Sequence, residues 1–405
     1  MVSNLHKVGL YFTKEYNNYN FGNSHPLRPL RLLLAYSLFE KLGLLKSKVL
    51  EEFEPRHATK DEILRVHALE YVEAIQKLSE YPSDPSVNAS RYGLGLGDNP
   101  IFKGMYDAST LICGASLMAA EKVLLDDNFT IAFNPAGGLH HAMKNRASGF
   151  CIFNDIAVAI AHLKTLKSDI KVAYVDIDCH HGDGVQTIFY DDPNVLTINY
   201  HQDGRTLFPG TGHVSEIGEG DGKGYSINFP LMPRTSDKMF LKLFRQTLPK
   251  ILAAYKPDIL ISQLGVDTYW EDPLTQMGFS LSVFRDIAQT LKTSAKEYCQ
   301  DRWLALGGGG YLMNVVPRAW ALFLAKMVGE ELENKLPEEW YNEFKSKVTY
   351  EKTPYYLWDR ADYIKQQELK YPEKTMAMIE YRNSLIELCE KKYIPNLVKR
   401  KNSIN

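Results

Sequence analysis

Val172-Ala-Tyr-Val-Asp-Ile-Asp-Cys-His-His-Gly-Asp-Gly-Val185 is the stretch on which the reading of this chain turns. Its apolar opening, Val172–Val175, reads as a strand buried on both faces, as in the interior of a parallel sheet. Three carboxylates and two imidazoles then fall within eight positions, 176–183. Side chains alternate along a strand, so Asp176, Asp178 and His180 point the same way while the extended geometry lasts. Desolvating such a set at a strand end is costly, and a metal ion is the commonest remedy.

Outward from this stretch, short β-rich runs alternate with helical patterns. Strands are predicted at Val8–Phe12, near Val49–Phe53, and at Thr130–Phe133, 171–177, 195–200, 225–229, Ile259–Leu264 and Trp303–Leu306. Helices are predicted at about 27–42, 107–125, 155–166, 237–254 and 282–298, with another after the capping-box pattern Thr59-Lys-Asp-Glu62. Residues 81–100, rich in Gly, Pro, Ser and Asn, read as a long loop. About eight strands separated mostly by helices define an α/β fold: one eight-stranded parallel sheet flanked by helices. The alternation stops near Glu331. Residues 1–330 therefore read as the catalytic domain, and 331–405 as a helical extension packed on it or partly frayed. That extension carries Tyr355-Tyr-Leu-Trp358, read as packing, and ends in Lys399-Arg-Lys401, read as a solvated tail.

Composition narrows the class. The 405 residues are 45% hydrophobic and 24% charged, an ordinary globular balance. A net charge of −2 gives no global electrostatic case for nucleic acid, so direct nucleic-acid binding is not expected. No uninterrupted apolar run approaches the roughly 18 residues of a membrane span. Met1–Lys7 lacks the order of a signal peptide. The five scattered cysteines form no C-x-x-C pair and suit a reducing cytosol, so the expected location is cytoplasmic.

Polar residues gather where strands end. His140-His141 follows the strand 130–133 through Asn134-Pro-Ala-Gly-Gly-Leu139. The Asp/His cluster follows 171–177, Asp267 follows 259–264, and Tyr311 follows 303–306 through Gly307–Gly310. In open parallel sheets, ligands bind beyond the carboxyl ends of the strands, so parallel strands would bring these four groups to one edge. Asp178, His180 and Asp267 can form a three-ligand set with a coordination position left for water, the mark of a catalytic metal. Such a metal lowers the water pKa towards about 7 and polarises a carbonyl. His140 and His141 can handle protons, with Asp176 and Asp183 available to fix their tautomers. The Tyr311 hydroxyl can donate to a developing oxyanion. Together these parts specify metal-assisted hydrolysis of an amide or ester. Gly307–Gly310 is no phosphate loop, because no G-K-[ST] follows. Gly93-Leu-Gly-Leu-Gly97 follows a polar loop rather than a strand, which favours a substrate-entrance loop over a nucleotide fingerprint.

Six ordered blocks carry a resemblance: Asn134–Ala142, Ala147–Asp155, Asp176–Val185, Phe208–Gly212, Gly265–Thr268 and Gly307–Tyr311. Over about residues 5–325 the chain resembles the zinc-dependent histone deacetylase superfamily, nearest its acetoin-utilisation-type and class I-like members. The resemblance implies the arginase/deacetylase fold. It makes Asp178, His180 and Asp267 the ligands of Zn2+, with Fe2+ as the alternative metal. It makes His141, oriented by Asp183, the general base and then acid, His140 with Asp176 its electrostatic support, and Tyr311 the carbonyl polariser. Phe150, Phe208, Gly149, Leu274 and Gly309 would line an acyl-lysine channel, Asp98 would hold substrate backbone at the rim, and Arg31 would stand at an inner cavity where acetate leaves. K+ would bind near Asp176, Asp178 and His180, mainly through backbone carbonyls, with Asn199 and Tyr200 completing the site. A second cation would sit on backbone near Phe189, Asp192, Val195 and Tyr225.

Two departures stand out. Cys179 replaces the family's usual alanine or leucine, with its thiol expected to point away from the metal and open to oxidation or soft metals. Asn199 replaces a common serine. The implied activity is hydrolysis of N6-acetyl-lysine in protein partners to lysine and acetate. Small acetylated amines such as acetylpolyamines, or longer acyl-lysines, are the alternative substrates, and non-catalytic acyl-lysine binding the remote alternative. The absence of a long insertion at the entrance favours protein substrates.

Overall fold

The computed structural model describes residues 6–95, 97–359 and 372–403. Of the stretches read above, most of Met1–Lys7, Leu96, and the side chains of Arg400 and Lys401 lie outside the described residues. Eight strands form one sheet: β1 (Lys7–Tyr11), β2 (Leu50–Phe53), β3 (Phe129–Asn134), β4 (Val172–Asp176), β5 (Val195–Gln202), β6 (Ser226–Leu231), β7 (Ile259–Gln263) and β8 (Trp303–Leu306). Every pairing is parallel and the spatial order is β2-β1-β3-β8-β7-β4-β5-β6. Strands β4, β7 and β8 are buried along their whole length, which is why apolar residues follow one another in their sequences without alternation.

The helices cover both faces. Helix α1 (Leu30–Lys41) begins three residues later than the periodicity predicts, after Pro26 and Pro29, and α2 (Lys60–Leu64) and α3 (Leu69–Glu80) divide what reads as one helical stretch. The capping box at α2 forms: Thr59 N–H donates to Glu62 Oε2 at 2.8 Å, and Glu62 N–H to Thr59 Oγ1 at 3.2 Å. Helices α4 (Met105–Leu125), α5 (Asp155–Leu166), α6 (Asp183–Ile188), α7 (Asp237–Tyr255), α8 (Leu281–Tyr298) and α9 (Val316–Val328) complete the layers. By length and composition α4 could cross a membrane, but 78% of its most apolar window is buried inside the fold, where it packs on β3 and α5 as a core helix. All five cysteines are buried free thiols.

Beyond Glu331 the helices among the described residues pack on the domain. Helix α10 (Glu338–Lys347) buries Trp340 and Phe344, and the Trp340 indole N–H donates to the Leu34 carbonyl of α1 at 2.9 Å. The helix Pro372–Leu388 and the helical turns after it lie along α7, with the Tyr393 ring against Phe229 of the edge strand β6 at 5.9 Å. The Tyr393 hydroxyl also donates to the Asn228 carbonyl of that strand at 3.4 Å. Trp340→Ala should lower unfolding stability by about 3–5 kcal/mol, the usual cost of emptying a buried tryptophan site. An unchanged midpoint in denaturant titration would show that this segment adds nothing to the fold.

Candidate active site

Strands β3, β8, β7 and β4 are neighbours in the sheet. The four polar segments that follow them therefore meet at its carboxyl edge. The loop after β3 is shaped by Asp155, whose buried carboxylate accepts the N–H groups of Gly138 at 3.1 Å and Leu139 at 2.7 Å. This presents His140 and His141 side by side, their Nε2 atoms 3.0 Å apart. His140 Nδ1 lies 2.7 Å from Asp176 Oδ2, and His141 Nδ1 lies 2.7 Å from Asp183 Oδ1. Asp176 also accepts the Tyr174 hydroxyl at 2.5 Å.

Two imidazoles this close disfavour double protonation. Burial opposes charge on His140, but Asp176 and Asp178 outweigh it and hold it up at about 9. Burial, reinforced by His140, pushes His141 down to about 4 despite Asp183. His141 is thus the neutral member of the pair at pH 7, the form that accepts a proton.

Asp178, His180 and Asp267 bring one ligand atom each to within 4.8 Å of one another, all three side chains buried. His180 Nδ1 lies 3.1 Å from Asp178 Oδ1 and 2.8 Å from Asp267 Oδ2. The outer oxygens are already used. Asp178 Oδ2 accepts from Gln263 Nε2 at 2.7 Å and from the Gly309 N–H at 2.9 Å, and Asp267 Oδ1 accepts the Cys179 N–H at 2.7 Å. Each carboxylate is thereby turned so that its other oxygen faces the common centre. Burial and the charge of Asp178 push Asp267 up to about 7, a repulsion that a cation at the centre would relieve. Two hard oxygens and one imidazole nitrogen suit Zn2+ or Fe2+, so the donor set fits the metal. Gly265 permits the close approach of this loop, since a Cβ there would lie 2.0 Å from Asp178 Oδ2.

Above the triad a cleft of about 220 Å3 is lined by Asp98, His141, Gly149, Phe150, His180, Leu207, Phe208, Leu274 and Tyr311. Phe208 is 44% exposed and stands edge-on to His141 at 5.0 Å, while Phe150 stands edge-on to Tyr311 at 5.7 Å. Gly149 has φ +49°, and a Cβ there would meet the His141 ring at 2.4 Å. Asp98 sits exposed at the rim, its carbonyl 3.2 Å from His25 Nε2. Burial, with Asp267 and Asp178 nearby, keeps the Tyr311 phenol protonated, its pKa well above the usual value. Arg31 is buried behind the glycine run, donating to the carbonyls of Gly308 at 2.7 Å and Gly310 at 3.0 Å, its guanidinium 5.2 Å from the Trp320 ring.

The remaining residues singled out from the sequence fall elsewhere. Asn199 pairs with Asp176 across β5 and β4, and both polar atoms of its amide are buried without a partner among the described residues. Tyr200 faces the other way, its hydroxyl 2.8 Å from Thr247 Oγ1. Phe189, Asp192, Val195 and Tyr225 gather at the amino ends of β5 and β6, away from the cleft, with the Asp192 carboxylate already bound by Lys164. Cys179 Sγ points to Gln202 Oε1 at 3.7 Å, away from the triad, and burial raises its pKa well above the usual value, disfavouring the reactive thiolate. His181 lies 2.8 Å from Thr211 Oγ1. Sequence reasoning missed Gln263, Asp155, Tyr174 and Asp272, the last accepting the Tyr311 N–H at 3.0 Å. The signal for Gln263 was a lone amide at the end of an apolar strand. Asp155 gave none beyond a helix start.

A parallel α/β sheet with this two-carboxylate, one-imidazole centre at its carboxyl edge defines the arginase/deacetylase class. Within it, residues 25–327 match the histone deacetylase domain. The acetoin utilization protein AcuC of Bacillus subtilis (strain 168) is 41% identical over 330 residues, 81% of this chain and 84% of that protein. AcuC of Staphylococcus xylosus is 37% identical over 366 residues, 90% of this chain and 94% of that protein. A crystal structure of a histone deacetylase homologue from Aquifex aeolicus superposes with a TM-score of 0.79 at 32% identity, covering 87% of this chain and 95% of that one. The chain belongs to the histone deacetylase family, as an AcuC-like member, and is a deacetylase of that metal-dependent group.

Removing a partner that orients a metal ligand typically weakens metal affinity about 10–100-fold. Gln263→Leu should do so, measured by competition against a chelator. Unchanged affinity would mean that Gln263 does not set the aim of Asp178.

Proposed function

We propose that the protein hydrolyses the amide of N6-acetyl-lysine in protein substrates to lysine and acetate. The reading is carried by the cleft itself: Phe150 and Phe208 line it together with His141, Tyr311 and the triad residue His180. A divalent cation held by Asp178, His180 and Asp267 would polarise the acetamide carbonyl and acidify a water molecule.

The side chains do the rest. Phe150 and Phe208 hold the lysine stem and keep bulk water from it. Neutral His141 takes a proton from the attacking water and returns it to the lysine nitrogen as the C–N bond breaks, so water is added across that bond. His140, charged through Asp176, stabilises negative charge beside it. Tyr311 donates to the carbonyl oxygen as that oxygen gains charge. Gly149, Leu274 and Gly309 would leave room for the acetyl group and stem, and Asp98, exposed at the rim, would accept substrate backbone N–H groups. Arg31 offers a positive charge behind the glycine run, where acetate would leave.

A monovalent cation such as K+ beside Asp176 is supported by the unpartnered Asn199 amide. The second cation site has only the proximity of its backbone segments. The free, buried cysteines suit a reducing, cytoplasmic setting.

Purified protein stripped of metal and reloaded with Zn2+ or Fe2+ should show its highest kcat/KM on acetyl-lysine peptides, above acetylpolyamines and long-chain acyl-lysines. Asp267→Ala should lose both metal and turnover. Tyr311→Phe should keep metal and lose about 10²–10³ in kcat. The assignment fails if no acetyl-lysine substrate releases acetate, or if both variants lose metal equally.

A further inference from the structure

Tyr311 sits on a segment with little regular structure of its own. Four glycines precede it, and α9 starts only at Val316. Two acids from outside hold this segment. Asp272 accepts the Tyr311 N–H through one oxygen and the Leu274 N–H through the other, each at 3.0 Å. Glu351 accepts the N–H groups of Met313 and Asn314, one on each carboxylate oxygen, both at 2.9 Å. The N–H groups of Met313 and Asn314, which precede the α9 N-cap residue Val315, are thus satisfied from 38 and 37 residues away.

The strap that carries Glu351 is itself anchored. Arg28 lies over the Tyr350 ring at 4.4 Å, Arg318 donates to the Tyr356 carbonyl at 3.1 Å, and Leu357 is fully buried. Asp359 accepts the Leu281 N–H at 2.9 Å and the Tyr269 hydroxyl at 3.3 Å. The two Asp359 contacts bracket, in sequence, the stretch that carries Asp272 and Leu274. The whole strap lies beyond residues 25–327, the part that matches the family domain.

We propose that Glu351 is a positioning residue for catalysis. By bracing the backbone two and three residues past Tyr311, it sets where the Tyr311 hydroxyl stands. The inference rests on the deacetylase reading for the role of Tyr311. Misplacing a catalytic group by about 1 Å can cost about 10²-fold in rate.

The test compares Glu351→Ala and Glu351→Gln in the full-length, metal-loaded protein, with Tyr311 intact and with Tyr311→Phe. With Tyr311 present, Glu351→Ala should lower kcat by about 10–10²-fold, with KM and metal content held. Glu351→Gln, which keeps one acceptor oxygen, should recover part of that loss. In the Tyr311→Phe background the added loss should be under about 2-fold, because coupled residues are non-additive. Equal losses in both backgrounds, or a parallel fall in metal content, would overturn the proposal. If Glu351→Ala does not fold, the glutamine variant carries the same comparison. A fluorine-labelled tyrosine at position 311 supplies a second readout, independent of substrate: its NMR signal should shift or broaden in Glu351→Gln, and an unmoved signal counts against the positioning role. A wild type that releases no acetate overturns the deacetylase reading alone, and the fluorine signal still decides the role of Glu351.

Discussion

Asp178 and Asp267 hold two carboxylates side by side at the carboxyl edge of the sheet, both almost fully buried. Like charges in so dry a place repel strongly, and the surrounding structure answers that repulsion. Gln263 and the Gly309 N–H take the outer oxygen of Asp178, and the Cys179 N–H takes that of Asp267. What is left is a pair of inner oxygens and one imidazole nitrogen aimed at a single point. The same logic orders the two histidines, each tethered at Nδ1 by its own aspartate. A network of this kind rigidifies a site only when each member is satisfied, and here backbone N–H groups supply much of the satisfaction.

That dependence on backbone explains the sheet. Four strands that are consecutive in space but not in sequence, β3, β8, β7 and β4, end at the same edge. Their loops leave the sheet within hydrogen-bonding distance of one another. Asp176 is thereby opposite Gln263 on one side and Asn199 on the other. The parallel arrangement works as the site's frame, because it fixes the relative heights of groups that lie more than a hundred residues apart in the chain.

The C-terminal segment extends the frame. Trp340 anchors α10 on α1, and the strap beyond it reaches back to the segments that bear Tyr311 and Asp267. Precise catalytic geometry needs side chains whose own supports are locked. In this chain part of that locking comes from outside the domain that defines the family.

The elements were legible because they are local. Hydrophobic runs of four to eight residues and helical periodicities marked all eight strands and most helices; α6 and α9 were not marked, Pro29 delayed α1, and the stretch read as one helix divided into α2 and α3. Polar residues at strand ends were legible for a related reason: charge in an apolar context is conspicuous. The supporting partners were not. Glu351 looked like any other glutamate in a charged tail, and Asp155 like an ordinary helix start, since each acts on a backbone N–H group that leaves no mark on composition. The sequence by itself determined the strands, their parallel class and the chemistry at their ends. Only the tertiary structure decided which strands became neighbours and which oxygens were left to face the centre, because both depend on contacts between residues far apart along the chain.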